Sequence, residues 1–329
     1  MRRPSWFRQG HTRRLAVVLS GGANLGAFEA GVIDVLARAG LEPDLLVGTS
    51  VGAVNAAFWA FHPGPDVGPR LLEVWRGMNR SILLGGHPLL ALHRLLHGTY
   101  LFADAGLLGL LRSTLPPGAR VEEAAYPLNI VVTRALEGTR EVIRTGPLEA
   151  ALLASAAIPG LFPPVQIGDD FYVDGGLVAN CDLQAVVEAG IEQAVAVDVM
   201  AGGFDTPATD VLESASRAVT FMIARQTEME IRLWGPRLRL AIARARLAIP
   251  ARLDNFEHTQ ALIDLGHQAG ERLLAEHLDK DFRVWPGTFE LTLADAVSTP
   301  PGMAPESPAD VSADPTQAGD ESRTHRGSA

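Results

Sequence analysis

The sequence predicts an α/β fold, a three-layer α/β/α arrangement with a mainly parallel central sheet. Short apolar runs alternate with longer apolar segments at helical spacing, in the order Leu15–Leu19, Ala27–Ala39, Leu45–Val47 and Val51–Phe61. Strands that alternate with helices usually pair in parallel and are covered on both faces, so they are apolar along their whole length. With 47% hydrophobic residues, the 329-residue chain has enough apolar surface to bury such a sheet.

The boundaries of these first elements are marked by glycine and proline. The first strand ends at Gly21-Gly22, and Gly40 stops the first helix. Pro63 ends the second helix because proline cannot continue one.

The chain continues with strands and helices as far as about residue 290. Leu128–Thr133 and Glu141–Arg144 are predicted to pair across a short turn, and Val165–Ile167 and Phe171–Val173 to form a hairpin. The other predicted elements are a helix over Glu149–Ile158, a strand over Ala194–Val199, a helix over Val211–Leu233, a strand over Leu238–Leu247 and a last helix over Phe256–Leu278.

Residues 63–117 are unusually rich in Leu, Gly, Pro and His. We expect their leucines to pack helices onto the sheet, and a lid or an acyl-chain surface is the alternative. Seven of these leucines lie close together: Leu83, Leu84, Leu89, Leu90, Leu92, Leu95 and Leu96.

Both ends differ in composition from the single α/β domain that we expect over residues 15–290. Residues 1–14 contain five arginines and no acidic residue, which predicts a basic flexible arm, with contact to an anionic bilayer surface as the alternative. Residues 291–329 are mostly Pro, Ser, Ala, Asp and Glu without periodicity, so they are expected to form a disordered acidic tail.

Charge and cysteine content argue against several classes of protein. The net charge is −10 and Lys280 is the single lysine, so a nucleic-acid partner is not expected. Cys181 is the single cysteine, which rules out an internal disulfide and a Cys-rich zinc site and fits the cytoplasm. No run of about 18 apolar residues is present, so any membrane contact is expected to be peripheral. No cofactor is expected, and the sequence gives no indication of oligomeric state.

A serine in a glycine-flanked turn is the candidate nucleophile. Gly48-Thr49-Ser50-Val51-Gly52 lies between the second strand and the helix that follows it. Small residues two positions before and after Ser50 allow the strained strand-to-helix turn that exposes a nucleophile. An ordinary serine at a helix N-terminus is the alternative.

A second glycine-rich loop follows the first strand. Gly21-Gly22-Ala23-Asn24 would turn backbone N–H groups toward an anion, and a developing oxyanion is one candidate. Ala23 breaks the dinucleotide-binding pattern, and Ala27 stands where a phosphate-binding loop needs lysine.

Asp174 follows a predicted strand and precedes Gly175-Gly176, which places a carboxylate at a strand end. Together with the serine and glycine motifs, it makes the stretch from Leu15 to Asn180 resemble the patatin-like phospholipase family. The segments 153–164 and 172–180 are similar to that family as well.

This resemblance implies a lipid acyl hydrolase with a Ser-Asp dyad. Ser50 would be the nucleophile, Asp174 the base, and the amides of residues 21–24 the oxyanion hole. Substrates would be phospholipids, lysophospholipids or other acyl esters. Members of the family usually carry a third glycine and then Arg or Lys in the loop, whereas this chain has Ala23 and Leu25.

Two other functions stay open at this point. A Ser-His-Asp esterase would draw its base from His258, His267 or His277, which lie downstream of Ser50. A catalytically silent lipid-binding or interaction module would follow if the altered glycine loop had lost turnover. A metal site is not expected, because His62, His87, His93 and His97 have no acidic partner at metal-ligand spacing.

Overall fold

A central sheet of nine strands organises the part of the chain that the computed structural model describes, which is residues 14–79, 100–202, 207–208, 211–246 and 255–292. The strands run in the order β5-β6-β3-β2-β1-β7-β8-β9, and β4 also pairs with β3. They are β1 (Leu15–Leu19), β2 (Leu45–Thr49), β3 (Leu128–Arg134), β4 (Thr139–Ile143), β5 (Val165–Ile167), β6 (Asp170–Asp174), β7 (Gln193–Ala201), β8 (Arg239–Arg246) and β9 (Gly287–Thr292).

The centre of the sheet is parallel and buried. Strands β3, β2, β1, β7, β8 and β9 pair in parallel, while β4, β5 and β6 form antiparallel pairs. Every residue of β1, β2 and β7 is buried, as strands covered on both faces require.

Helices cover the two faces of the sheet and form two separate apolar cores. In the described ranges the α-helices are α1 (Gly26–Arg38), α2 (Val51–Phe61), α3 (Val67–Gly77), α4 (Ala105–Thr114), α5 (Leu148–Ser155), α6 (Leu183–Glu188), α7 (Val211–Trp234) and α8 (Thr259–Arg272). Val17 and Leu46 point into the larger core with α1 and α2, whereas Ala16 and Leu45 point into the smaller core with α6. The predicted three-layer α/β fold is confirmed.

Two helix boundaries need correction, and one strand was missed. Helix α5 ends at Ser155 and not at Ile158, since Ala156 already leaves helical geometry with a φ of −101° and a ψ of 7°. Pro159 disfavours helical backbone at Ile158. The last helix begins at Thr259 and turns into a π-helical segment over Leu273–His277. Strand β9 was not predicted at all, and its pairing with β8 extends the sheet to Thr292.

Several sequence expectations fall outside the described residues. These are the basic arm before Arg14, the leucine group over 83–96 with His87, His93 and His97, and the tail from residue 293 onward. Within the described ranges, none of the helices combines the length and the apolar character needed to cross a bilayer.

Strand β3 aligns the ends of two other strands. Residues 130 and 131 pair with both β2 and β4, so these two strands lie on opposite edges of β3. Residues 132–134 pair with both β4 and β6. Strand β6 therefore lies on the same edge of β3 as β2 and begins to pair where β2 ends. Thr49 is opposite Val131 and Asp174 is opposite Val132. The ends of β2 and β6 therefore meet head to head.

Candidate active site

Ser50 occupies a strained turn between β2 and α2. Its φ of 54° and ψ of −123° lie in a region that non-glycine residues rarely adopt. The turn is tight: a Cβ on Gly48 would lie 2.5 Å from Ala53 Cα, and one on Gly52 would lie 2.5 Å from the Ser20 carbonyl oxygen. Both glycines of the motif are therefore required by close backbone approach.

Ser155 holds the backbone of this turn. Its hydroxyl accepts a hydrogen bond from the Ser50 N–H at 2.9 Å and donates to the Val131 carbonyl at 2.7 Å. Ser155 is fully buried at the end of α5. The hydroxyl thus links the turn to the strand that also positions Asp174.

Asp174 ends β6 beside Ser50. Its carboxylate accepts a hydrogen bond from the Gly176 N–H at 2.7 Å, and the Ser50 hydroxyl is near enough to favour its charged form. Its backbone N–H donates to the Ala157 carbonyl at 3.0 Å, and its carbonyl accepts from the Thr133 hydroxyl at 2.8 Å. Burial raises the pKa of Asp174 to about 6, and the Ser50 hydroxyl and the Gly176 N–H oppose that rise.

The glycine-rich loop lies against the same strand ends, and it corrects one predicted role. The Gly21 N–H donates to the Asn180 carbonyl at 3.2 Å, so it is already used and is not available to an oxyanion. A Cβ on Gly21 would lie 2.6 Å from Asn180 Oδ1 and 3.1 Å from Ser50 Cβ. Gly21 therefore allows the loop to approach the nucleophile closely.

The amides of Gly22, Ala23 and Asn24 begin a 3-10 helix over Ala23–Leu25. Within the described residues these three N–H groups have no acceptor, as is usual for the first turn of a helix. Ala23 has a φ of 49°, a left-handed conformation that glycine adopts more readily. Ala23 therefore adopts a glycine-like backbone conformation despite its methyl group. Leu25 is 2% exposed and packs in the core.

An apolar pocket opens at Ser50 and Ala23. Its empty volume is about 1030 Å³, part of which is open to solvent. Phe58, Trp75 and Phe162 line it, and helices α3 and α4 supply further apolar side chains. The described part of the Leu-rich region therefore both packs on the core and forms the wall of this pocket.

Two of the three candidate histidines have side-chain partners away from Ser50. His267 Nε2 lies 2.9 Å from an Asp34 carboxylate oxygen, and His277 Nδ1 lies 3.0 Å from the Trp285 carbonyl oxygen. His258 precedes α8, where its carbonyl accepts from the Leu262 N–H. No histidine in the described ranges lines the pocket beside Ser50.

Two positioning residues have no role that the sequence motifs indicate. Ser155 and Asn180 lie in the two segments that resemble the family, but the residues next to them in the sequence form no motif that would indicate a role in the site. The Asn180 side chain donates to the Gly21 carbonyl at 3.2 Å, and its backbone N–H donates to Gln226 Oε1 at 2.9 Å. These contacts connect elements far apart in the chain, so short-range spacing could not have found them.

The family model for patatin-like phospholipase matches residues 17–187 of this chain. The chain belongs to the patatin-like phospholipase family. The matched range contains the serine turn, the glycine loop and the Asp174 strand end. Membership supports hydrolase activity on lipids.

Named relatives place the chain beside larger patatin-like proteins. An uncharacterized NTE family protein of Mycobacterium tuberculosis strain H37Rv is 30% identical over 191 residues, which cover 57% of this chain and 30% of the relative. Patatin-like phospholipase domain-containing protein 7 of Mus musculus is 25% identical over 191 residues, 56% of this chain and 13% of that protein. The chain thus spans less than a third of the length of these relatives.

Among solved structures, VipD from Legionella pneumophila aligns with a TM-score of 0.41 at 15% identity. The alignment covers 79% of this chain and 66% of that one.

Proposed function

We propose that this patatin-like protein is a serine lipid acyl hydrolase of the phospholipase A or lysophospholipase type, which cleaves carboxylic esters through Ser50 and Asp174. The observation that carries the proposal is that the strand end bearing the buried Asp174 meets the strained turn of Ser50, which lines an apolar pocket. An acyl chain fits the pocket, because its walls are almost wholly apolar.

The first half of the reaction forms an acyl-enzyme. Ser50 Oγ attacks the ester carbonyl carbon while Asp174 takes the hydroxyl proton. The carbonyl oxygen becomes an oxyanion, which the amides of Gly22, Ala23 and Asn24 would stabilise. When the tetrahedral intermediate collapses, the C–O bond breaks and the leaving alkoxide takes the proton from Asp174.

The second half regenerates the enzyme. Water attacks the acyl-Ser50 ester and gives a proton to Asp174, and the same amides would stabilise the second oxyanion. Collapse releases the carboxylic acid and returns the proton to Ser50. A buried Asp with a pKa raised to about 6 is a better base than an exposed one and is still ionised at neutral pH.

Labelling with a fluorophosphonate tests this proposal. One covalent adduct is expected on Ser50, and Ser50→Ala should lose both the adduct and hydrolysis of a p-nitrophenyl ester. Ser113→Ala, which removes an exposed serine hydroxyl on α4, is the matched control and should label like the parent. An adduct on another serine would overturn the assignment. The absence of any adduct would also overturn it, and is the result expected of a catalytically silent binding module.

A further inference from the structure

Helix α7 exposes apolar side chains along its outer face. Val219, Met222, Met229 and Leu233 are 50%, 72%, 60% and 62% exposed, and Val211 at the start of the helix is 87% exposed. At 3.6 residues per turn these five side chains fall on one face. We call these five residues the α7 stripe. The opposite face carries the buried Ala224 and Thr227.

This distribution is the reverse of that of an ordinary surface helix, whose outer face is polar. Ten large apolar side chains are exposed in the described part of the chain, and six of them lie on α7. Contiguous apolar surface of this kind marks an interaction site.

The α7 stripe lies beside the 3-10 turn Gly175–Leu177, which directly follows Asp174 and which we call the catalytic loop. Gln226 lies between Met222 and Met229, and its side chain donates to the Leu177 carbonyl at 2.9 Å and accepts from the Asn180 N–H at 2.9 Å. Leu177 is 49% exposed and ends the 3-10 turn that begins directly after Asp174. Leu177 therefore joins the stripe to the catalytic carboxylate.

Helix α7 holds three arginines and three glutamates, and an anionic partner would meet the exposed arginines at its C-terminal end. Two arginines of the helix are paired with glutamates, Arg217 with Glu213 and Arg225 with Glu228. Arg232 is exposed near the end of the helix. Beyond it, Arg237 lies over the Trp234 ring, 4.9 Å from its centroid. Arginine and tryptophan beside apolar side chains suit the boundary between lipid headgroups and acyl chains.

We infer that the α7 stripe, together with Leu177, docks on the surface of a lipid bilayer and that anionic headgroups strengthen the contact. The inference rests on the proposed function, since an enzyme acting on membrane lipids must bring its catalytic loop to the bilayer. A second copy of the chain on the same surface would cover Leu177 beside Asp174. A bilayer instead offers substrate at that point.

Vesicle sedimentation tests the inference with the full chain carrying Ser50→Ala, which prevents the lipid from being consumed. The vesicles are pure phosphatidylcholine, or equal parts of phosphatidylcholine and phosphatidylglycerol. The stripe variant is Met222→Gln with Met229→Gln, which keeps side-chain length and adds no charge. Trp285→Gln is the matched control, because Trp285 is 51% exposed beside Arg239 at the start of β8, the opposite end of the parallel strands.

The stripe variant should lose vesicle affinity by a factor on the order of ten, because the lipid contact scales with buried apolar area. Trp285→Gln should bind like the parent, and Arg232→Gln should weaken binding to the anionic vesicles only. Melting temperatures establish that each variant is folded.

Failure of the parent to sediment with either vesicle would overturn the inference, and so would equal binding by the stripe variant. A parent dimer that becomes monomeric in the stripe variant while vesicle binding stays unchanged would identify a second copy as the occupant. The fluorophosphonate result is independent of these measurements, so a failure of the proposed function would be recognised separately.

Discussion

Ser155 accepts the backbone N–H of Ser50 at 2.9 Å, and this bond ties the strained nucleophile turn to the end of helix α5. The same hydroxyl donates to the Val131 carbonyl on β3. Val131 is opposite Thr49 in the sheet, and its neighbour Val132 is opposite Asp174. One buried side chain thus fixes the Ser50 backbone relative to the strand that sets the position of the carboxylate.

Ser155→Ala should lower kcat by about tenfold with little change in KM, because Ser50 would no longer be held at its attacking position. The variant also removes the partner of the buried Ser50 N–H, which costs about 1–3 kcal/mol of stability. Steady-state kinetics on a soluble ester and thermal unfolding measure both effects. Ser113→Ala on the exposed face of α4 is the control. An unchanged kcat would show that the turn holds its shape without Ser155.

Gly21→Ala should abolish most activity while the protein stays folded. The new methyl group would lie 2.6 Å from Asn180 Oδ1 and 3.1 Å from Ser50 Cβ, so the loop and the nucleophile would have to separate. We expect kcat to fall by about 10²–10³, because the separation would move the amides of Gly22, Ala23 and Asn24 away from the oxyanion, and losing one such donor has an effect of this size.

Gly109→Ala is the matched control for Gly21→Ala. A Cβ at Gly109 would meet nothing within 4 Å, and alanine is favoured over glycine inside a helix. If both variants kept parental activity, the close approach of the loop to Ser50 would have no catalytic importance.

The pH dependence of kcat/KM should show an acidic limb near pH 6. Asp174 must be ionised to accept the Ser50 proton, and burial raises its pKa to about 6. Activity on a soluble ester should therefore rise through that pH and level off above it. A limb near pH 4, where an exposed carboxylate titrates, would contradict the burial of the base.

Asp174→Asn should stabilise the protein at pH 8. An acid with a raised pKa binds its proton more tightly in the folded state, so stability is lost as the pH rises from about 4 to about 6. Two pKa units correspond to at most about 3 kcal/mol, which the neutral amide would recover. Thermal unfolding should show a higher midpoint for the variant at pH 8 and little difference at pH 4. Asp169→Asn, on the exposed hairpin turn, should leave the unfolding midpoint unchanged at both pH values.

The sequence predicts the fold closely where apolar runs are bounded by glycine or proline. Val51–Phe61 was predicted to the residue, because Ser50 begins the helix and His62-Pro63 ends it. Strand β9 was missed although Thr288–Thr292 alternates polar and apolar side chains, and its pairing with β8 depends on a partner far back in the chain.

The site was predictable in its residue types and much less so in its contacts. Ser50 and Asp174 each follow a strand, which indicates chemistry at a strand end. The two residues meet because β6 pairs antiparallel with β3 on the same edge as β2, directly beyond the end of β2. A local sequence pattern does not determine which strands pair or in which register. The same limit applies to Gly21, whose N–H was expected to face an oxyanion and instead binds the Asn180 carbonyl.

The central claim is that Asp174, and no histidine, is the base that activates Ser50, and one kinetic comparison tests it most directly. We predict that kcat for a soluble ester falls by about 10²–10⁴ in Asp174→Asn, which keeps the shape of the side chain but removes the basic oxygen. His258→Ala, His267→Ala and His277→Ala should each stay within a few-fold of the parent. An Asp174→Asn variant that remains active, beside a histidine variant as inactive as Ser50→Ala, would contradict the dyad.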